Sequence, residues 1–265
     1  MSEFHNDINP ATLWRDIQQQ ASGDAEREPL LRDALCEHII DRDSFAQSLA
    51  SVLASKIAES VEQRSAWREA FEQLFAAQPT IVAAALRDLS CQLQSNAAIR
   101  GLYTPLLYFG GYHALQCYRI AHCYWHGDRS ALANYIQGRA ISLFGVDIHP
   151  GAKIGSAIFM DHAVGIVIGE TAIVEDEVTI FQSVTLGGTG KGTGKRHPTV
   201  RRGAFIGSCA VVLGDIEIGE GAKVGAGAVV VKDLAAHNTA IGPCADVLVS
   251  RGSAQQGATT KSTEE

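Results

Sequence analysis

The chain carries two hydrophobic periodicities, and the change between them falls near residue 145. Before that point glycine is scarce and apolar residues recur at helical spacing. In one run they fall on a single helical face: Trp67, Phe71, Leu74 and Phe75. Pro79 then begins a second helical run, and a longer apolar segment over residues 105–144 predicts two or three buried helices. The N-terminal half is therefore predicted to be helical.

After residue 145 an aliphatic residue recurs at every sixth position. The series contains Ile148, Ile154, Ile168, Val174, Ile180, Leu186, Ile206, Val212, Ile218, Val224 and Val230. A short fixed repeat predicts a solenoid, because each unit can bury its apolar face only against its neighbours. One inward side chain per strand and three strands per coil would give roughly five coils of about 18 residues. The spacing alone does not fix the handedness of the coil.

The first interruption of the repeat lies between Ile154 and Ile168, where the step is 14 residues rather than 12. The two extra residues fall within the segment 159–165, which contains Asp161 and His162. A histidine in an otherwise aliphatic solenoid is costly unless it has a hydrogen-bond partner or a chemical role. His162 is therefore a candidate functional residue, and a satisfied surface histidine is the alternative.

The second interruption lies between Leu186 and Val200, where the polar, glycine-rich run 187–198 predicts a loop extruded from the solenoid. The run fails the phosphate-loop pattern, because neither Gly-Lys pair has the required glycine before it and Ser or Thr after it. In a chain of net charge −7, cations here suggest attraction to a phosphorylated ligand, with a solvated loop as the alternative. These cations are Lys191, Lys195, Arg196, Arg201 and Arg202.

Composition excludes several classes of protein. A hydrophobic content of 46% is sufficient for a real core, and the negative net charge argues against general nucleic-acid binding. No stretch approaches 18 uncharged apolar residues, and the first ten residues lack the features of a signal peptide. The six cysteines include no CxxC pair and are expected to be reduced. A cytoplasmic location is therefore predicted.

Five collinear segments resemble the serine O-acetyltransferase family of hexapeptide-repeat transferases. They are 104–108 (TPLLY), 146–150 (VDIHP), 161–167 (DHAVGIV), 182–191 (QSVTLGGTGK) and 196–198 (RHP). The similarity also covers the helical segment before the solenoid, which most other hexapeptide-repeat acyltransferases lack. The resemblance implies an α + β protein. Its expected parts are an α-helical N-terminal domain at 1–144, a left-handed parallel β-helix at 145–250 and a disordered tail at 251–265.

The resemblance also implies an activity, in which acetyl-CoA and L-serine give O-acetylserine and CoA for cysteine biosynthesis, with no metal. A serine hydroxyl is a poor nucleophile, so a base must take its proton, and the resemblance assigns this to His162 with Asp147 as its carboxylate partner. Asp161 would pair with the serine ammonium group, Arg196 with its carboxylate, and backbone N–H groups or His197 with the oxyanion. Residues expected along the acetyl-CoA arm are Thr185, Gly187, Gly207, Ser208 and Lys223. Trimers or hexamers are expected, with active sites between neighbouring subunits.

The chain departs from the family pattern at two places. Asn96 stands where the family usually has an aspartate of the amino-acid site, and its amide provides no charge for an ammonium group. The acceptor and feedback inhibition by cysteine are therefore open. Family members that dock into O-acetylserine sulfhydrylase typically end in isoleucine, whereas residues 261–265 read KSTEE. No complex with the sulfhydrylase is expected through this terminus.

Three other functions compete with this interpretation. One is acetyl transfer to a different small acceptor, such as homoserine, a sugar or an antibiotic. A second is a β-helical zinc carbonic anhydrase using His149, His162 and His197, although their separations of 13 and 35 residues do not follow the coil step. A third is a non-catalytic assembly scaffold.

Overall fold

A computed structural model describes residue 9 and residues 11–190 and 192–244, and it is helical up to Phe144 and β-stranded afterwards. Within these ranges the α-helices are α1 (Leu13–Arg27), α2 (Arg32–Leu35), α3 (Phe45–Ile57), α4 (Val61–Ala77), α5 (Pro79–Ser95), α6 (Thr104–Tyr108), α7 (Gly110–His126) and α8 (Ser130–Phe144). A 3₁₀ turn at Pro29–Leu31 and a π-helical turn at Cys36–Ile40 lie between α1 and α3. The tail predicted at 251–265 lies outside the described residues.

Local sequence explains where several helices begin and end. The Ser44 hydroxyl accepts a hydrogen bond from the Gln47 backbone N–H at 3.3 Å and caps the start of α3. Pro79 occupies the first turn of α5, where its missing N–H costs nothing. Gly145 ends α8 in the left-handed conformation, with φ of 65°. Phe71 and Phe75 of the predicted amphipathic run are buried on α4, which confirms the helical pattern there.

The second half is a parallel β-helix. Its strands are β1 (Asp147–Ile148), β2 (Lys153–Ile154), β3 (Phe159–Asp161), β4 (Val167–Ile168), β5 (Ile173–Val174), β6 (Thr179–Phe181), β7 (Thr185–Gly187), β8 (Thr199–Val200), β9 (Phe205–Ile206), β10 (Val211–Leu213), β11 (Glu217–Ile218), β12 (Lys223–Val224), β13 (Val229–Val230) and β14 (Thr239–Ala240). They form three parallel sheets. The first has the order β1-β4-β7-β10-β13, the second β11-β8-β5-β2 and the third β14-β12-β9-β6-β3. The predicted α + β class, helices followed by a β-helix, is confirmed.

The six-residue series forms the solenoid core. Every aliphatic residue of the series is buried except Ile154, which is half-buried. A buried aliphatic side chain contributes about 1.5–3 kcal/mol of transfer free energy, so one such residue per strand holds the coils together. The predicted inward-facing positions are therefore confirmed.

The register between coils locates the extra residues. Val167 pairs with Thr185 and Val211 with Val229, which are steps of 18 residues (185 − 167 and 229 − 211). Asp147 pairs with Val167, a step of 20, so the first interruption adds the two residues predicted. Thr185 pairs with Val211, a step of 26, so the second interruption adds eight. Its 14-residue step replaces a single six-residue step, because it joins the consecutive strands β7 and β8.

The helical half covers the open edge of the first coil. The Tyr118 hydroxyl of α7 donates to the Ala152 carbonyl at 2.6 Å and accepts from the Ile154 N–H at 3.2 Å. His122 lies 2.8 Å from the Pro150 carbonyl through Nδ1. These contacts satisfy backbone groups of the first coil that have no neighbouring coil on that side.

A buried ion pair joins two helices to the same edge. Asp88 on α5 is fully buried, and its Oδ2 accepts from Arg119 Nη2 on α7 at 2.7 Å. Its Oδ1 accepts the Ile158 N–H at 3.0 Å, while Arg119 Nη2 also donates to the Gly155 carbonyl at 2.7 Å. Both charges are thus paired and hydrogen-bonded, which a buried pair requires.

In the part of the chain that is described, no helix is long and apolar enough to cross a membrane.

Candidate active site

A cavity of about 580 Å³ lies where the helical half meets the first coil. Asn96, at the end of α5, and Thr104 and Tyr108 of α6 line one side, and Asp161 and His162 line the other. The Asn96 Oδ1 accepts the Ala98 N–H at 3.0 Å. Three of the predicted site residues, Asn96, Asp161 and His162, are therefore brought together at this cavity.

The two extra residues of the first coil form a strained turn. His162 and Ala163 both have positive φ, 56° and 45°. The Ala163 N–H bonds to the Asp161 carbonyl, and the Val164 N–H bonds to the His162 carbonyl, both at 2.6 Å. These are successive three-residue turns, a geometry that costs free energy and persists where surrounding structure holds it. The turn directs the His162 side chain outward, where it is 74% exposed.

Helix α7 holds this turn in place through a glycine. A Cβ added to Gly111 would lie 2.7 Å from the Ala163 Cβ and 2.9 Å from the Met160 carbonyl oxygen. The absence of a side chain at Gly111 therefore allows the start of α7 to approach the turn closely. Gln92 Nε2 of α5 also donates to the Met160 carbonyl, at 3.5 Å.

The carboxylates near His162 occupy different positions. The Oδ2 of Asp161 lies 3.6 Å from His162 Nε2. Asp147, half-buried on β1, accepts a hydrogen bond at Oδ1 from Gln137 Nε2 of α8, at 2.7 Å. Among the described residues no hydrogen bond or ion pair joins Asp147 to His162. Its assignment as the partner of His162 stays a prediction.

Arg196 and His197 form a second group at the end of the extruded loop. Arg196 donates to Glu170, and this hydrogen bond lowers the pKa of the Glu170 carboxyl. The Thr171 hydroxyl oxygen accepts the backbone N–H groups of Arg196 and His197 at 3.0 and 3.1 Å. The His197 ring is 9% exposed, and its burial is the main reason that its pKa is lowered. Neither Arg196 nor His197 lines the cavity that contains His162.

The other cations near the loop are matched with acids. Arg201 pairs with Glu175 at 2.7 Å and also with Glu217, and Arg202 pairs with Asp176 at 3.0 Å. In the same way Lys195 lies 3.2 Å from Asp215. Lys191 lies outside the described residues. The phosphate-attracting charge suggested by the sequence is therefore locally neutralised at the described positions.

The residues expected along the acetyl-CoA arm are distributed around one edge of the solenoid. Thr185 and Gly187 belong to β7 of the first sheet, and Gly207 and Ser208 follow β9 of the third sheet, before the chain enters β10. They therefore lie about the corner between these sheets. Lys223 is exposed at the start of β12 in the third sheet.

Three residues with contacts at the site were missed by the sequence interpretation: Gln137, Glu170 and Thr171. Their contacts join positions 10 to 26 residues apart. The 26-residue coil brings Glu170 and Thr171 beside Arg196 and His197. The length of this coil depends on how many residues the extruded loop contains. The only available signal was their position between β4 and β5, one coil before the loop.

In the described ranges no group of three or more His, Cys, Asp or Glu side chains could hold a metal ion.

The helical half, the hexapeptide coils and the cavity at their junction define an acetyl-CoA-dependent acyltransferase of the hexapeptide-repeat class. A family model described as "Serine acetyltransferase, N-terminal" matches residues 13–117, and one described as "Bacterial transferase hexapeptide (six repeats)" matches residues 197–232. A serine acetyltransferase of Salmonella typhimurium is 44% identical over 91% of this chain and 88% of its own length. The chain belongs to the serine acetyltransferase family.

Solved structures agree with this assignment. A soybean serine acetyltransferase complexed with serine has 39% identity and a TM-score of 0.85, covering 92% of this chain and 100% of that one. A serine acetyltransferase from Brucella abortus in complex with coenzyme A has 36% identity and a TM-score of 0.85. That comparison covers 90% of this chain and 95% of the Brucella chain.

Proposed function

We propose that this protein transfers the acetyl group of acetyl-CoA to the hydroxyl of L-serine, giving O-acetylserine and CoA for cysteine biosynthesis, with His162 as general base. The observation that carries the mechanism is the exposed imidazole of His162, held by a strained turn that lines a cavity. The serine and coenzyme A seen with relatives support the two substrates.

The imidazole suits the proton transfer because its ordinary pKa lies close to neutral pH. As the serine oxygen attacks the thioester carbon, His162 takes the hydroxyl proton, and the collapse of the tetrahedral intermediate releases the CoA sulfur. The proton on His162 can then pass to the departing thiolate. Both substrates react directly in one ternary complex, so a covalent acetyl-enzyme is unnecessary.

The two nearby carboxylates, Asp161 and Asp147, are proposed to have different roles. Asp161 lies on the cavity beside His162 and is assigned to the serine ammonium group. Asp147 is assigned to the imidazolium, which it would orient and stabilise. Gln137 holds Oδ1 of Asp147, and the described residues place no hydrogen-bond donor on Oδ2. Oδ2 is therefore available to a ring nitrogen.

We further infer that the site is completed between two copies of the chain. Arg196 and His197 are assigned to the serine carboxylate and the oxyanion, yet within one chain they do not line the cavity of His162. A cyclic trimer, or two trimers paired, would bring the loop end of one subunit to the cavity of the next. The bound acetyl-CoA would then lie along the same subunit boundary, near Thr185, Gly187, Gly207, Ser208 and Lys223.

The acceptor is tested by measuring CoA release with serine, homoserine and a set of sugars. Serine is expected to give the highest kcat/KM. A different small acceptor that turns over faster than serine would overturn the substrate assignment and leave the acyltransferase class intact. Adding cysteine to the same assay would show whether the product of the downstream chemistry inhibits an enzyme that carries Asn96.

The base is tested by His162→Asn. The substitution is expected to lower kcat about 100-fold or more, because general-base catalysis contributes about 10²–10⁴-fold. Asparagine tolerates positive φ, so the strained turn should persist and the loss should reflect chemistry. Steady-state CoA release at saturating serine measures the effect.

His237→Asn is the matched control. His237 is also exposed and has φ of 59°, but it lies far along the chain in the turn before β14. Its substitution should leave kcat within about twofold, as expected for a surface change away from the site. Retention of full activity in His162→Asn would show that another group is the base.

A further inference from the structure

His197 accepts two hydrogen bonds at one ring nitrogen. The backbone N–H of Thr171 points at His197 Nδ1 at 3.2 Å, and the Thr171 hydroxyl lies 2.8 Å from the same atom. A backbone N–H can only donate, so Nδ1 must present a lone pair. A neutral imidazole with an unprotonated Nδ1 carries its proton on Nε2.

The Thr171 hydroxyl reinforces this tautomer. Its oxygen accepts the N–H groups of Arg196 and His197, at 3.0 and 3.1 Å. A hydroxyl has two acceptor positions and one proton, so with both positions in use the proton is directed to Nδ1. One side chain therefore fixes the backbone of the Arg196–His197 pair and the protonation of its ring.

Two glycines lie against the opposite side of the ring. A Cβ added to Gly169 would lie 2.1 Å from His197 Nε2, and one added to Gly188 would lie 3.4 Å from it. Two residues without side chains thus make room for the ring at its Nε2 side. Among the described residues no hydrogen-bond acceptor is paired with Nε2.

The charges around the ring also favour the neutral form. Arg196 and Lys195 are the cations that most strongly disfavour an imidazolium, and His149 adds to them when it is charged. Glu170 opposes them, but its carboxylate is engaged by Arg196. Burial and these cations together lower the pKa of His197, so the ring stays neutral to a lower pH than an ordinary histidine.

We propose that Thr171 is a positioning residue that holds His197 as the neutral Nε2–H tautomer, so that His197 is a fixed hydrogen-bond donor to the developing oxyanion. This rests on the proposed function, which assigns His197 to the oxyanion. His197 then exchanges no proton during the reaction, and His162 alone acts as the base. A donor that is already oriented stabilises developing negative charge without reorganisation at the moment of reaction.

The tautomer can be measured directly on the full-length assembled protein. Histidine labelled with ¹⁵N gives two-bond ¹H–¹⁵N correlations that distinguish the two tautomers, and a His197→Gln spectrum assigns the signal. Wild-type protein without substrates is expected to show the proton on Nε2 of His197 from about pH 6.5 upward, since the pKa is lowered from its ordinary value. A proton on Nδ1, or titration above pH 7, would overturn the proposal.

Thr171→Val tests the hydroxyl, because valine keeps the shape and removes both the donor and the acceptor. We expect kcat/KM for serine to fall about tenfold, the value of one hydrogen bond to a charged or developing-charge group. The hydroxyl donor to Nδ1 stabilises the neutral ring, so its removal should raise the pKa of His197, and activity should begin to fall at a higher pH. Thr171→Ser, which restores the hydroxyl, should recover kcat/KM to within about threefold.

Thr179→Val is the control, since Thr179 is half-buried on β6 and its hydroxyl makes no hydrogen bond among the described residues. It should leave the pH profile and the His197 signal unchanged. If Thr171→Val behaves like this control, the inference is wrong. Should Thr171→Val fail to fold, the wild-type spectrum and Thr171→Ser still decide. Failure of serine turnover in wild-type protein, with the tautomer present, would instead overturn the proposed function.

Discussion

His162 and Asn96 face one cavity from the two halves of the chain, and each is an unusual residue for its position. His162 has φ of 56°, in a region that few residues other than glycine adopt without cost. Asn96 offers an amide where a carboxylate would attract an ammonium group more strongly. The first feature concerns how the proposed base is presented, and the second concerns how tightly the proposed acceptor would be held.

Asn96→Asp is expected to lower the KM for serine about fivefold with little change in kcat, because a carboxylate makes a charge-assisted hydrogen bond. Aspartate keeps the oxygen that accepts the Ala98 N–H, so the local backbone should be retained. Asn134→Asp, on the exposed side of α8, adds the same charge away from the cavity and serves as the control. An unchanged KM in Asn96→Asp would remove Asn96 from the acceptor site.

The sequence was most informative about residues whose position in the repeat is abnormal. His162 stands out because two extra residues shift it out of phase with the aliphatic series. Thr171 and Glu170 give no such signal, because they occupy ordinary turn positions between regular strands. Their contacts with His197 and Arg196 depend on where the extruded loop returns, which the repeat does not specify. The six-residue repeat therefore could not predict these side-chain hydrogen bonds between coils.

At the scale of elements, α5 and α7 connect the cavity to the solenoid. Asp88 and Arg119 bridge the two helices and also bond to the backbone of the first coil. The same helices contact Met160 and Ala163 at the strained turn, through Gln92 and Gly111. The position of His162 therefore depends on the docking of these helices.

Arg119→Met is expected to lower the free energy of unfolding by about 3–5 kcal/mol, because it leaves the fully buried Asp88 carboxylate without its cation. Urea unfolding at fixed protein concentration measures the change. Arg68→Met removes an exposed cation of α4, 4.0 Å from Glu72, and should cost less than about 1 kcal/mol. Equal losses in the two variants would contradict the structural role given to Asp88 and Arg119.

Periodicity also limited what could be predicted about the elements. The series from Ile148 to Val230 identified the buried position of each strand, because inward side chains must match from coil to coil. The size of the extruded loop was not determined in the same way. A 14-residue step is compatible with one or two six-residue units, and only the pairing of Thr185 with Val211 distinguishes them.

At the scale of the whole molecule, the proposed acceptor site is divided into two parts. The cavity with His162 lies against the helical half, whereas Arg196 and His197 lie at the loop end beside Glu170 and Thr171. If both parts serve one reaction, each complete site needs two subunits. Enzymes built in this way can recover activity when differently inactivated copies are mixed.

Mixing His162→Asn with Arg196→Ala tests this division. Equal amounts, dissociated and reassembled together, should recover about a quarter of wild-type activity, since random assembly of a cyclic oligomer pairs two intact parts at about one boundary in four. Reassembly of either variant alone is the control and should remain inactive. Absence of recovery in verified mixed oligomers would place both parts in one subunit.

The covering of the first coil by Tyr118, His122, Asp88 and Arg119 gives the stack of coils a closed beginning. A bare first coil would present a row of unpaired N–H and C=O groups, to which the last coil of another molecule could add in the same parallel sense. Each addition would leave a new end of the same kind, so growth would have no natural stop. By covering the first coil, helices α5 and α7 block this end-to-end pairing and so oppose the growth of a fibre.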